Sequence, residues 1–189
     1  RRVKLMKKVL YLSFLFLMVA SFTFSISVFA YNNYDNHSCL WEDPQDVNYR
    51  FTNDIPNEYR YKLAEAVVEW NYATSVNLSF NSSSSNTFGT YNEDSTVMGE
   101  TTYTCTFFHL GDTINTSDVG LNETWFSNSN LSTTNKDKLK LKVSLHEVGH
   151  FIGLGHSTVT PAVMESGVFY SSSYMSPTTD DINGYNDLY

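Results

Sequence analysis

The residues in this chain best suited to chemistry are His146, Glu147, His150 and His156, set in the run His146-Glu147-Val148-Gly149-His150-Phe151-Ile152-Gly153-Leu154-Gly155-His156. On a helix, residues four apart share a face about 6 Å along the axis. His146 and His150 can therefore offer imidazole nitrogens to one zinc ion at about 2.0–2.1 Å. Glu147 projects about 100° around the axis from His146, beside the metal, where a base for an activated water should stand. Were the helix to continue, His156 would lie about 9 Å beyond His150 and out of reach of the same ion. Gly153 tolerates a left-handed turn, so the helix can stop there and His156 can fold back. Three neutral nitrogens leave a fourth tetrahedral position for water, the arrangement of a catalytic zinc rather than a structural one.

At these residues the chain resembles the metzincin metallopeptidases, and Ser157 after the third histidine resembles the matrixin branch, the catalytic domain of matrix metalloproteinases in a minimal, bacterial-type secreted form. The resemblance implies a zinc endopeptidase with Glu147 as general base and acid. It also implies an α+β fold: a twisted, mixed, mainly parallel sheet packed on two long helices, a zinc cleft, and a small C-terminal subdomain ending in a helix. The spacing from His156 to Met164 resembles the turn that sets a methionine beneath the ligands, a polarisable floor rather than a ligand. Astacins and serralysins carry a tyrosine two residues after that methionine, and Ser166 stands there instead. Matrixins usually continue with a Tyr-Pro pair. This chain has Glu165-Ser166-Gly167, so the pocket wall does not carry over, and Val168, Phe169 and Tyr170 are the candidates to line it. The segment 177–189, with Thr178 capping and Asp180 and Asp181 in the first turn, resembles the closing helix of matrixin domains. No hemopexin-like or other accessory domain is expected beyond it.

The elements that must position these residues follow from patterning. Val47–Phe51 and Val76–Phe80 alternate as half-buried strands. Between them Leu63, Ala66, Val67 and Trp70 recur at helical spacing, so a β-α-β unit with a parallel pair is expected. The Thr- and Tyr-rich stretch from Phe88 to Leu110 reads as one or two strands, Val119–Asn122 as a further short strand, and Ser127–Asn135 as a polar loop. The zinc helix is expected over about Asn135–Gly153, with Leu141, Leu145, Val148 and Ile152 on a core face and Leu139, Val143, His146 and His150 on an opposite cleft face. Lys136, Lys138, Lys140 and Lys142 read as a solvated surface. An exposed sheet edge between Thr101 and Leu110 is expected to take an extended substrate as an added strand.

The first thirty residues read as a secretory signal. Arg1, Arg2, Lys4, Lys7 and Lys8 form a basic head, Val9–Val28 is mostly apolar, and Val28-Phe29-Ala30 suits cleavage; translation could start at Met6. An uncleaved membrane anchor is the alternative. Residues 31–189 then form one catalytic domain, divided at 155/156 into upper and lower subdomains. The full chain carries a net charge of −8. Removing the five basic residues of the signal, and no acidic ones, leaves −13, which disfavours nucleic acid and anionic membrane as partners. The expectation is a secreted, extracellular monomer acting on peptides or proteins, with no stable membrane association once the signal is removed.

Cys39 and Cys105 are the two cysteines. Export favours a disulfide between them. The alternative is a Cys39 thiolate blocking the zinc, although Ser38-Cys39-Leu40-Trp41 does not resemble the matrixin propeptide motif. One catalytic zinc is expected. No histidine-rich segment for a second zinc precedes the helix, and His37 and His109 stand alone. Asp112, Asn115 and Asp118 could offer oxygens to calcium, but nothing in their spacing supports it. A zinc-bearing binding or adhesion module without turnover is the second functional reading, and the intact Glu147 argues against it.

Overall fold

In the computed structural model of the chain, residues 39–108, 111–166 and 175–189 are described. The signal segment, His37, His109 and the pocket candidates Val168, Phe169 and Tyr170 lie outside the described residues. Strand β1 (Cys39–Leu40) precedes β2 (Val47–Phe51), whose alternation buries Val47 and Tyr49. Helix α1 (Asn57–Ala73) starts behind Pro56, whose φ of −63° is already suited to helix entry. It buries Tyr59, Leu63, Ala66, Val67 and Trp70. The chain returns as β3 (Leu78–Phe80), parallel to β2 with Val47 opposite Leu78. Asn71 locks this crossover: its side-chain amide donates to the Leu78 carbonyl at 2.9 Å, and its oxygen accepts from the Leu78 N–H at 2.8 Å.

Strands β4 (Thr87–Tyr91), β5 (Gly99–Phe108) and β6 (Gly111–Asn122) complete a six-stranded sheet in the order β1-β6-β4-β2-β3, with β5 paired to β6. The β1–β6, β4–β6, β2–β4 and β2–β3 pairings are parallel, and β5–β6 is antiparallel. The mixed, mainly parallel sheet inferred from the sequence is therefore present. Because β4 occupies one edge of β6 at Asp118–Asn122, β5 must take the other edge. Among the described residues, β5 has no strand beyond it.

Strand β6 extends well past the Val119–Asn122 expected for it. Residues 113–118 lack apolar alternation because polar side chains hold the pairing. Thr104 and Thr116 hydroxyls meet at 2.8 Å, Thr106 donates to Asn115 at 2.7 Å, and Ser117 donates to the Thr102 carbonyl at 3.0 Å. A short helix α2 (Glu123–Asn128) follows and replaces the first part of the expected loop. Asn122 starts it: its Oδ1 accepts from Trp125 N–H at 3.3 Å, while its amide donates to the Glu93 and Val97 carbonyls at 2.9 Å each. One buried amide thus caps the helix and folds the 92–98 loop.

Helix α3 (Thr133–Phe151) begins behind Ser132, and α4 (Thr179–Leu188) closes the chain. The expected division of α3 into a core face and an open cleft face needs correction. Leu139, Val143, His146 and His150 are as buried as Leu141, Leu145 and Val148. Helix α3 is covered by α1 on one side and by β5 and β6 on another, so from Leu139 onward little of its surface reaches water. Lys140 is also not on a solvated face. It is 6% exposed, its Nζ sits 2.6 Å from Glu58 Oε2, and it lies 4.3 Å from the centre of the Tyr59 ring. The ion pair and the aromatic face compensate for the water it loses.

The core gathers around Trp70, Phe88, Leu145, Phe151 and Met164, all fully buried. Phe88 stacks on Tyr49 at 4.5 Å and meets Phe151 edge-on at 4.9 Å, joining the sheet to α3. The Trp70 indole N–H donates to the Leu145 carbonyl at 2.8 Å and joins α1 to α3. Cys39 and Cys105 are disulfide-bonded. Their strand partners, Asp112 and Ile114, are both on β6, so the bridge spans that strand from β1 to β5. Closing a loop of this length is worth about 4 kcal/mol in the chain-entropy model.

Candidate metal centre

His146 and His150 lie one helical turn apart on α3, 3% and 5% exposed. Each has its Nδ1 against a backbone carbonyl: His146 faces Val163 O at 2.8 Å, and His150 faces Leu154 O at 2.7 Å. A carbonyl only accepts, so each Nδ1 carries the proton and each Nε2 presents its lone pair. The two Nε2 atoms are 3.1 Å apart. Two lone pairs facing each other at that distance call for a cation between them, and two ligands of a tetrahedral zinc lie about 3.3 Å apart. The His156 ring stands 5.2 Å from that of His146 and 4.8 Å from that of His150. The ligand atoms of the three lie within 4.8 Å of one another, the one such cluster found among the described residues. The donor set fits zinc.

Burial lowers the pKa of both helix histidines, His146 to about 3 with a further push from His150, and His150 to about 4. Burial lowers that of His156 too. Neutral imidazole is the form that binds metal. A depressed folded pKa means protons do not compete for these nitrogens until well below the unfolded value of about 6.5. Zinc is expected to stay bound after dialysis at pH 5.5, read by metal analysis of the retained protein. Complete loss between pH 6 and 7 would contradict this electrostatic picture.

The turn that brings His156 back is built on the helix end. Gly153 adopts φ +94°. Its N–H donates to the His150 carbonyl at 2.8 Å, and the Leu154 N–H donates to Gly149 O at 3.0 Å, the paired bonds of a Schellman motif. A side chain at Gly153 would be strained by this φ and would meet Leu40 Cδ2 at 3.0 Å. The next two carbonyls are capped by side chains distant in sequence. Trp41 Nε1–H donates to Phe151 O at 2.8 Å, and the Tyr189 hydroxyl donates to Ile152 O at 3.3 Å.

Met164 is fully buried against α3, where a Cβ at Gly149 would stand 2.2 Å from its sulfur. Gly149 within the motif therefore makes room for Met164, a reason that spacing alone does not show. Ser157 N–H donates to Met164 O at 2.7 Å, and its hydroxyl donates to Asp180 Oδ2 at 2.6 Å. Asp181, with no exposed surface, accepts from Val163 N–H at 2.9 Å and from Met164 N–H at 3.0 Å. It also accepts from the Thr178 N–H at 2.8 Å and the Thr178 hydroxyl at 2.7 Å. Asp181 thus holds the segment whose Val163 carbonyl orients His146.

Glu147 is 5% exposed. The Thr101 hydroxyl lies 2.8 Å from its Oε2 and 2.9 Å from its backbone carbonyl. Burial raises its pKa to about 8, against the downward pull of the Thr101 bond and with a smaller upward push from Glu100. A divalent cation on the neighbouring nitrogens would favour the ionised form again. No sequence signal marks Thr101, which sits in a run of threonines without distinguishing pattern. In the sequence Asp181 stands out only as a first-turn residue of its own helix. The side-chain oxygens of Asn115 and Asp118 accept from the Thr106 hydroxyl and the Thr87 N–H.

Comparison with known proteins agrees with this arrangement. The family model described as Matrixin matches residues 40–189. Metalloendoproteinase 2-MMP of Arabidopsis thaliana is 27% identical over 165 residues, covering 77% of this chain and 41% of that protein. Metalloendoproteinase 1-MMP of the same plant is 35% identical over 68 residues, covering 35% of this chain and 19% of that protein. The chain thus spans less than half the length of these relatives. A solved structure, the GM1-bound form of the ECX AB5 holotoxin, overlays with a TM-score of 0.49 and 16% identity over 75% of this chain and 79% of that one, a likeness too slight to argue from. Matched by the family model from residue 40 to residue 189, the chain belongs to the matrixin family.

Proposed function

We propose that this protein is a secreted zinc endopeptidase that cleaves extracellular proteins or peptides, with one zinc held by His146, His150 and His156. The observation that carries the reading is the convergence of three neutral imidazoles with the Glu147 carboxylate next to them in the chain, beneath an edge strand. Zinc held there supplies Lewis-acid polarisation of the scissile carbonyl and of the attacking water. Glu147 takes the proton from that water and passes it to the leaving amine. Strand β5 offers an extended substrate the edge that no strand pairs among the described residues, and the substrate adds as a further strand held by backbone hydrogen bonds. Met164 forms the apolar floor.

On this reading residues 1–30 are the export signal. Residues 31–189 are one monomeric catalytic domain whose cleft runs between an upper part, 31–155, and a lower part, 156–189. A zinc-bearing binding module is the weaker reading, because burying a carboxyl group beside three imidazoles is costly in a site that performs no proton transfer. Digestion of casein or gelatin with and without a chelator separates the two. Chelator-sensitive cleavage is expected; zinc binding without any cleavage would favour the module.

A further inference from the structure

Glu147 is bracketed by two residues of β5 on one face of the strand. Thr101, 7% exposed, places its hydroxyl at 2.8 Å from Oε2. Two positions earlier, Gly99 presents a bare Cα. A Cβ there would stand 2.7 Å from Val143 Cγ1, 2.9 Å from Glu147 Cγ and 3.1 Å from Oε1. One carboxylate oxygen is therefore engaged by the strand, and the other passes a gap that any side chain would fill. A hydroxyl has one hydrogen, so Thr101 donates either to Oε2 or to the Glu147 backbone carbonyl 2.9 Å away. An ionised carboxylate is the stronger acceptor.

We propose that Thr101 is a positioning residue for the Glu147 carboxylate, engaging Oε2 from β5 and leaving Oε1 beside Gly99 as the oxygen that exchanges protons with substrate water. This rests on the peptidase reading above and adds to it a specific role for one hydroxyl. It also joins two tasks in one strand, since β5 is the edge proposed to pair with substrate. A carboxylate free to rotate would spend less time aligned with the reacting water, so the loss falls on turnover rather than on substrate binding.

The test compares Thr101→Val, which keeps the shape and removes the hydroxyl, with Thr101→Ser, which keeps the hydroxyl. Steady-state cleavage of a fluorogenic peptide by the zinc-loaded protein gives kcat and KM. Affinity for acetohydroxamic acid, whose hydroxyl would donate to Glu147 while its oxygens engage zinc, is measured by calorimetry. Zinc content and melting temperature are followed in each variant. Thr101→Val is expected to lower kcat on the order of tenfold with KM within about twofold. It is also expected to weaken hydroxamate binding severalfold at unchanged zinc content, with Thr101→Ser restoring most of both. Unchanged kcat and hydroxamate affinity in Thr101→Val overturn the proposal, as does a Thr101→Ser variant as impaired as Thr101→Val. A wild-type protein that binds zinc but cleaves nothing refutes the peptidase reading instead, and the hydroxamate comparison then still decides whether Thr101 orients Glu147.

Discussion

Replacing Glu147 by Gln is expected to lower peptide hydrolysis by roughly 10²–10⁴-fold, the range for removing a positioned general base, while leaving one zinc per chain. The amide fills the same volume and can still meet the Thr101 hydroxyl, but it cannot hold the proton taken from water. The three imidazoles are positioned by Val163, Leu154 and the Gly153 turn rather than by Glu147, so metal analysis should not change. The same variant has a stability signature in the zinc-free protein. Burial raises the folded pKa of Glu147 to about 8, whereas the unfolded value is near 4.5, so the native carboxyl resists ionisation. The contribution of this carboxyl group to stability therefore falls as pH rises from about 4.5 through 8, a loss that Gln removes. The melting-temperature advantage of Glu147→Gln in the zinc-free protein should grow across that window. A variant with near-wild-type turnover would remove Glu147 from the proposed reaction.

The second large effect is on folding. Asp181→Ala is expected to cost about 3–5 kcal/mol, because it strands buried donors that the carboxylate satisfies. Two of them, the Val163 and Met164 N–H groups, belong to the segment beneath the histidines. Val163 also supplies the carbonyl that faces His146 Nδ1, so zinc affinity should fall by about 10–100-fold in any folded fraction, as for other groups that orient metal ligands. Chemical denaturation of the zinc-free protein reads the first effect, and competition with a chromogenic chelator reads the second. Asp181→Asn keeps one acceptor oxygen and should fall between wild type and Ala. A loss below 1 kcal/mol would mean that the segment is held by something other than Asp181.

How much of this was legible in the sequence depended on how local each signal is. The convergence of the three histidines was legible because helical spacing and one glycine decide it: four residues bring His146 and His150 together, and Gly153 turns His156 back. The β-α-β unit was legible from alternation at Val47–Phe51 and spacing at Leu63–Trp70, and the disulfide from the pairing of two cysteines. What escaped notice depends on partners distant in sequence. Thr101 meets Glu147 across 46 residues, and Asp181 meets Val163 and Met164 across 18 and 17. Lys140 is buried because Glu58 and Tyr59 come to it across 82 and 81 positions. The first half of β6 carries no apolar alternation, since threonine hydroxyls and an asparagine hold it to β5. The opposite faces of α3 were separated correctly by angle, but their exposure was not, because burial depends on what packs against a face as well as on its composition.

The central claim, one catalytic zinc on three histidines, is tested most directly by titrating zinc into chelator-stripped protein while following hydrolysis of a peptide. Activity is predicted to be absent at the start, to rise in proportion to added zinc, and to level off at one equivalent per chain. Activity that survives stripping, or a plateau at two equivalents or more, would contradict it.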